Sequence, residues 1–170
     1  MVILIHGQFP GPKLYTVTNE NIVLNLINKL DQPFLLIWDG IKQIKNSWQD
    51  GVLGTNCPIP PNANYTYKFQ LKDQIGSYTY FPSTLMYRAA GGFGALNVFA
   101  LSVISVPYPK PDGDFSLLIS DWYKTGHKGL QQILDSGKAL PFADGVLING
   151  QGRASFSGDQ GVQYKRHNSQ

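Results

Sequence analysis

The sequence predicts an all-β fold, a sandwich or barrel of short strands, because apolar and aromatic runs return every dozen residues or so and are separated by turn formers. With 18 Gly and 11 Pro in 170 residues, turns are plentiful, and aromatic residues make up 12% of the chain. No long helical pattern competes with this reading. The length suits one well-buried domain with something left over.

The elements follow in order. Val2 to Ile5 is an apolar run of strand length, and His6-Gly7-Gln8-Phe9-Pro10-Gly11-Pro12 is an irregular loop forced by its glycines and prolines. Ile22 to Ile27 alternates as a strand does, with Ile22, Leu24 and Leu26 on one face. Phe34 to Trp38 is a continuous apolar run, the mark of a buried strand, closed by the Asp39-Gly40 turn. Pro58 to Asn62 connects to Tyr65, Tyr67 and Phe69, whose rings at every second position share a sheet face. Ser77 to Phe81 and Ala95 to Phe99 are two further strands, the latter entered through Gly91-Gly92-Phe93-Gly94. Pro107 to Asp114 is a proline-rich connector, Phe115 to Ile119 a strand, and Leu130, Ile133 and Leu134 stand at helical spacing. They predict a short helix over Lys128 to Ser136 with Gly137 as its C-cap, in an interdomain segment.

Composition excludes several functions. The net charge of +3 is spread along the chain apart from Lys165-Arg166-His167, so nothing resembles the basic stripe of a nucleic-acid binder. No apolar run approaches the roughly 20 residues of a transmembrane segment. The N-terminal VILI lacks the length and the basic leader of a signal peptide, so the chain as written carries no export signal. No GxSxG, P-loop or HExxH pattern occurs, and no catalytic residue is assigned. Asp39, Asp50 and Asp73 are a conceivable carboxylate set, but Asp39 and Asp50 stand beside turn glycines, where aspartate serves the backbone. His6, His127 and His167 are far apart, and each reads as an exposed or hydrogen-bonded side chain rather than a ligand. Cys57 is the lone cysteine, either a buried free thiol or half of a bridge to something outside this chain. Asn64-Tyr65-Thr66 is an N-glycosylation sequon, usable only in a secretory protein.

One internal repeat stands out: Ile3-Leu4-Ile5-His6-Gly7-Gln8 returns as Val146-Leu147-Ile148-Asn149-Gly150-Gln151. It is either chance or the start of a second domain of the same type at Val146. The glycine- and serine-containing tail beyond Gln151 has no strand-length apolar run and reads as disordered.

Five motifs in order carry a family resemblance over residues 2 to 151: Ile5-His6-Gly7-Gln8-Phe9-Pro10-Gly11-Pro12, Trp48-Gln49-Asp50-Gly51, Asn56-Cys57-Pro58-Ile59-Pro60, Asp73-Gln74-Ile75-Gly76-Ser77-Tyr78 and Arg88-Ala89-Ala90-Gly91-Gly92-Phe93-Gly94. The chain resembles the N-terminal cupredoxin domain of the plant multicopper-oxidase-like proteins, the ascorbate oxidase homologues that include pollen-specific and skewed-growth monocopper-oxidase-like proteins. The resemblance implies a cupredoxin-like Greek-key β-sandwich over 1–106 whose first strand is missing, a connector with strand and short helix over 107–145, and a truncated second cupredoxin domain with a disordered tail over 146–170. A missing strand leaves an exposed edge that invites another chain, and makes the isolated domain marginally stable and aggregation-prone.

In the active oxidases this domain gives a three-copper cluster four histidines, two in His-Trp-His and two in His-Gly-His. Here the first motif reads Ile37-Trp38-Asp39 and the second Phe81-Pro82-Ser83. Isoleucine and phenylalanine have no donor atom, serine is a poor copper ligand, and a lone aspartate prefers harder cations. Copper is therefore expected from the resemblance only, and no cofactor or metal is expected in this chain. Cys57 resembles the family cysteine that ties this domain to a later one. The resemblance implies a redox-inactive module with a structural or binding role at the plant cell wall or cell surface, in cell expansion or pollen tube growth. Its partners are the remaining cupredoxin domains, another chain at the exposed edge, or a cell-wall component. One alternative is a copper-dependent oxidoreductase whose copper lies in domains absent here; a second is a truncated, non-functional fragment.

Overall fold

The computed structural model describes residues 2–103, 105–109 and 111–152. The expected tail disorder, His167 and the basic cluster lie outside these residues. The described chain forms β1 (Leu14–Val17), β2 (Asn21–Ile27), β3 (Leu36–Asp39), β4 (Asn64–Gln70), β5 (Gly76–Pro82), β6 (Gly94–Phe99), β7 (Ile119–Trp122), α1 (His127–Asp135) and β8 (Gly145–Ile148). A four-stranded sheet has the order β1-β6-β5-β3, in which β1 runs parallel to β6 and the other neighbours are antiparallel. Antiparallel β2 and β4 form the opposing sheet. The chain changes sheet at every connection from β1 to β5, which is the crossing pattern of a Greek-key sandwich rather than a meander.

Alternation along the strands builds the core. Leu36 and Trp38 of β3, Tyr80 of β5 and Leu96 and Val98 of β6 turn inward, meeting Tyr67 and Phe69 of β4. The Trp38 ring centroid lies 5.1 Å from Phe69, 5.5 Å from Tyr67 and 6.2 Å from Tyr80, in tilted and edge-on geometries that aromatic rings favour. The hydroxyls of these two buried tyrosines are satisfied: Tyr67 accepts a hydrogen bond from the Leu36 N–H at 3.1 Å, and Tyr80 donates to the Pro12 carbonyl at 2.6 Å. Burial raises the pKa of both phenols, that of Tyr67 to about 12.

Two expectations need correction, and one strand was not expected. Val2 to Ile5 is not a strand; Ile3 donates to the Ala90 carbonyl and Ile5 bridges only to Gln8 across a turn. The strand expected over Phe115 to Ile119 begins where that stretch ends, at Ile119, and Phe115 and Leu117 are exposed because no strand pairs with them. Strand β1 gave no period-2 signal: Leu14, Thr16 and Val17 are all half-buried, and its pairing with distant β6 decides its state. The helix stands within one residue of its expected limits, with Gly137 one position past the Ser136 cap at φ 75°.

The repeated hexapeptide adopts one conformation twice. His6 and Gly7 have φ of 52° and 71°, and Asn149 and Gly150 have φ of 50° and 76°. Positive φ at both central residues is the signature of a type I′ turn, and each turn is closed by paired bonds, Ile5 with Gln8 and Ile148 with Gln151. The second turn packs on the first loop, where the Gly150 backbone abuts Pro10 and Phe9.

Candidate functional site

The residues at the four positions equated with copper ligands lie on the outward side of the four-stranded sheet. Strand alternation sends Ile37 and Asp39 away from the core while Leu36 and Trp38 enter it. Ile37 stands directly across from Phe81, and Asp39 across from Thr79. Ser83 follows the end of β5, where its N–H donates to the Leu35 carbonyl.

The chemistry of this face follows from what the side chains do. Ile37 and Phe81 offer no donor atom. The Arg88 guanidinium carbon lies 4.0 Å from the Phe81 ring centroid, a cation–π contact. The Ser83 hydroxyl donates to the Gly51 carbonyl at 2.9 Å, so its proton is engaged by the loop. Asp39 is exposed and accepts from the Thr79 hydroxyl at 3.4 Å. This donor set does not fit an imidazole-bound copper cluster.

The other candidates are dispersed. Asp50 accepts from the Val52 N–H at 3.0 Å and the Thr55 hydroxyl at 2.7 Å, which shapes its own turn. Asp73 and Asn19 exchange bonds of 2.9 Å across the sheet end. Among the described residues, no three His, Cys, Asp or Glu side chains gather as a metal site would need. His6 is exposed in its turn. His127 corrects the expectation of an exposed or hydrogen-bonded imidazole: it is buried at the start of α1, 5.0 Å from the Tyr87 ring, with no hydrogen-bond partner at either nitrogen among the described residues. Burial depresses its pKa first, with Lys128 adding to the shift. Cys57 is a free thiol and exposed, not buried, and Asn64 is exposed at the first position of β4. No helix among the described residues is long and apolar enough to cross a membrane.

A cleft of about 420 Å³ opens on the same outward face, between β5 and β7. Phe81 and Thr79 form one wall, Ser120 and Asp121 the other, and Arg88 and Phe93 close it from the β5–β6 connection. In that connection Leu85 and Met86 hold φ of 58° and 56°, a strained conformation for aliphatic residues. Sequence reasoning missed Arg88. It quoted Arg88 only as part of a motif, because the turn that brings the guanidinium over Phe81 has no local signature.

A multicopper oxidase family model matches residues 1–102, and a second multicopper oxidase model matches 113–168. The chain belongs to the multicopper oxidase family. It is 58% identical over 151 residues to the monocopper oxidase-like protein SKU5 of Arabidopsis thaliana, covering 89% of this chain and 26% of that protein. It is 54% identical over 149 residues to an L-ascorbate oxidase homolog of Nicotiana tabacum, covering 88% of this chain and 27% of the relative. The chain thus spans a little over a quarter of the length of the curated relatives it matches. Among solved structures it is similar to Fet3p, a multicopper oxidase that functions in iron import, with TM-score 0.73 and 25% identity over 85% of this chain and 28% of that one. A laccase from Botrytis aclada matches with TM-score 0.68 and 27% identity, over 88% of this chain and 27% of that one. The family and the sandwich read from the motifs are both established by these likenesses. The family is that of the copper-binding multicopper oxidases, and this chain is a cupredoxin unit related to ascorbate oxidase homologues and SKU5-like proteins.

Proposed function

We propose that this chain is a redox-inactive cupredoxin module that acts by binding or structural support at the plant cell wall or cell surface, in cell expansion or pollen tube growth. The observation that carries the proposal is the outward face of β3 and β5. Ile37 and Phe81 pair across the strands without a donor atom, Ser83 is bonded to the Gly51 carbonyl, and Asp39 is left as a single carboxylate. In this reading residues 1–106 form the first domain, 107–145 a connector, and 146–170 the opening of a second, whose type I′ turn copies that of the first. Exposed Asn64 then carries a glycan in the secretory pathway, and exposed Cys57 meets a cysteine elsewhere in a longer polypeptide. The other partners are further cupredoxin domains, a second chain at the open sheet edge, or a cell-wall component.

A second reading is favoured by one fact, the chain's coverage of only 26% to 28% of its relatives. In it, copper and oxidoreductase activity reside in other domains of a longer protein. The mass of the native protein in its source tissue, identified through a peptide from Asn46 to Tyr67, separates the two. A species of this chain's own length leaves the binding role alone; a species three to four times larger moves the copper question to its other domains.

A further inference from the structure

We propose that β2 is an interface between two copies of this chain, which pair antiparallel along its free edge about a two-fold axis at Asn25. The inference rests on the reading that a second chain meets the open sheet edge, and it identifies that chain as an identical copy.

The β2–β4 ladder decides which groups are free. The Glu20 carbonyl accepts from the Leu71 N–H and the Asn28 N–H donates to the Ala63 carbonyl. With Ile22 opposite Phe69 and Leu24 opposite Tyr67 in the same unbroken register, the even-numbered residues of β2 bond to β4. The N–H and C=O groups of Val23, Asn25 and Ile27 therefore point away from β4, and they have no hydrogen-bond partner among the described residues. The opposite edge of the same sheet is closed. On β4 the Gln70 carbonyl accepts from the Ile44 N–H at 2.9 Å, and the Lys68 carbonyl from the Asn46 amide at 2.8 Å. Native edge strands are commonly guarded by a lysine, a proline or a bulge, and Asn21–Ile27 carries neither charge nor proline.

The side chains say what pairs there. Along its exposed face the strand reads Asn21, Val23, Asn25, Ile27, with Val23 66% and Ile27 54% exposed. Antiparallel pairing centred on Asn25 sets Val23 of each copy against Ile27 of the other, and amide against amide, so the row is complementary to itself. On the other face Leu24 of one copy meets Leu26 of the other. Both leucines line a groove of about 650 Å³ beside β2, walled also by Leu4, Leu14 and Tyr80, and the pairing extends its apolar surface. The same orientation brings the Glu20 end of each strand to the Lys29 end of the other, whereas parallel pairing would bring like charges together. A second copy meets all three demands at once.

Sedimentation equilibrium over a range of concentrations tests this on the full chain, prepared without a glycan at Asn64, which stands across the ladder from Ile27. We expect a monomer–dimer equilibrium with a dissociation constant on the order of 10 μM. Val23→Lys or Ile27→Glu alone weakens it at least about tenfold. Mixing the two variants restores the dimer, because the register sets the introduced lysine against the introduced glutamate. Both positions are exposed, so the fold survives either change. A monomer at concentrations far above that constant, assembly beyond two copies, or a mixture no tighter than either variant overturns the proposal. In a monomer, hydrogen exchange at Val23, Asn25 and Ile27 identifies what holds the edge instead: slow exchange means a segment of the same chain, fast exchange solvent. A monomer free of copper breaks this inference and leaves the redox-inactive reading standing.

Discussion

The two faces of strands β3 and β5, one residue apart along each strand, have very different chemical characters. On the inner face Leu36, Trp38, Tyr80, Leu96 and Val98 are nearly solvent-free and interlock with Tyr67 and Phe69. On the outer face Ile37, Asp39, Thr79 and Phe81 are half-buried or exposed, and apart from the Arg88 contact and the Thr79–Asp39 hydrogen bond no polar network joins them among the described residues. Because the side-chain period of a strand is two, neighbours in sequence answer to different demands. Trp38 serves the core, and its neighbours Ile37 and Asp39 are free to lose a function without loosening the sandwich. A scaffold motif and a ligand motif can thus share three consecutive residues and answer to separate demands.

The largest effect is expected inside. Trp38→Ala should cost about 3–5 kcal/mol, seen as a large drop in the denaturation midpoint; a loss below about 1 kcal/mol would erase the distinction between the faces. Gly51→Ala follows, at about 2 kcal/mol or more. Gly51 has φ 79°, and an added methyl would sit 1.8 Å from the Leu36 carbonyl oxygen. Alkaline pH probes the same core. Tyr67 ionises at about 12 when folded against 10.0 ordinarily, so the unfolded chain releases its proton first. Stability is complete below pH 10 and declines as pH rises toward 12, by about 2–3 kcal/mol in all; a flat equilibrium profile from pH 9 to 12 would contradict the burial. Outside, the effects shrink. Ile37→His with Phe81→His should cost about 1–2 kcal/mol and confer Cu²⁺ affinity, because the two positions face each other across the ladder; calorimetric titration would show it. Asp39→Ala should stay within about 0.5 kcal/mol, since its one described bond, to Thr79, is long and exposed.

How much was legible follows the same division. Tyr65, Tyr67 and Phe69 announced their strand and its face, because burial on one side imposes alternation. That Ile37 and Phe81 carry no donor atom was legible directly, and their reading as ligand positions came from the motif frame that surrounds them. Arg88 over Phe81 was not, because it depends on the left-handed pair Leu85 and Met86, for which no residue-level signal exists. His127 was misread for a related reason: its burial is made by a helix docking on Tyr87, a contact between residues 40 positions apart. Val2 to Ile5 had the composition of a strand but no partner, and without a ladder an apolar run packs as a loop.

The central claim is that the outer face has given up copper while the inner face keeps the fold. The most direct test is the copper-to-protein ratio of the full chain after reconstitution with Cu²⁺ and dialysis, on material shown to be folded by a cooperative unfolding transition. The account predicts a folded protein with no more copper than a non-binding control. Copper retained in whole-number ratio, and lost on Asp39→Ala, would contradict it.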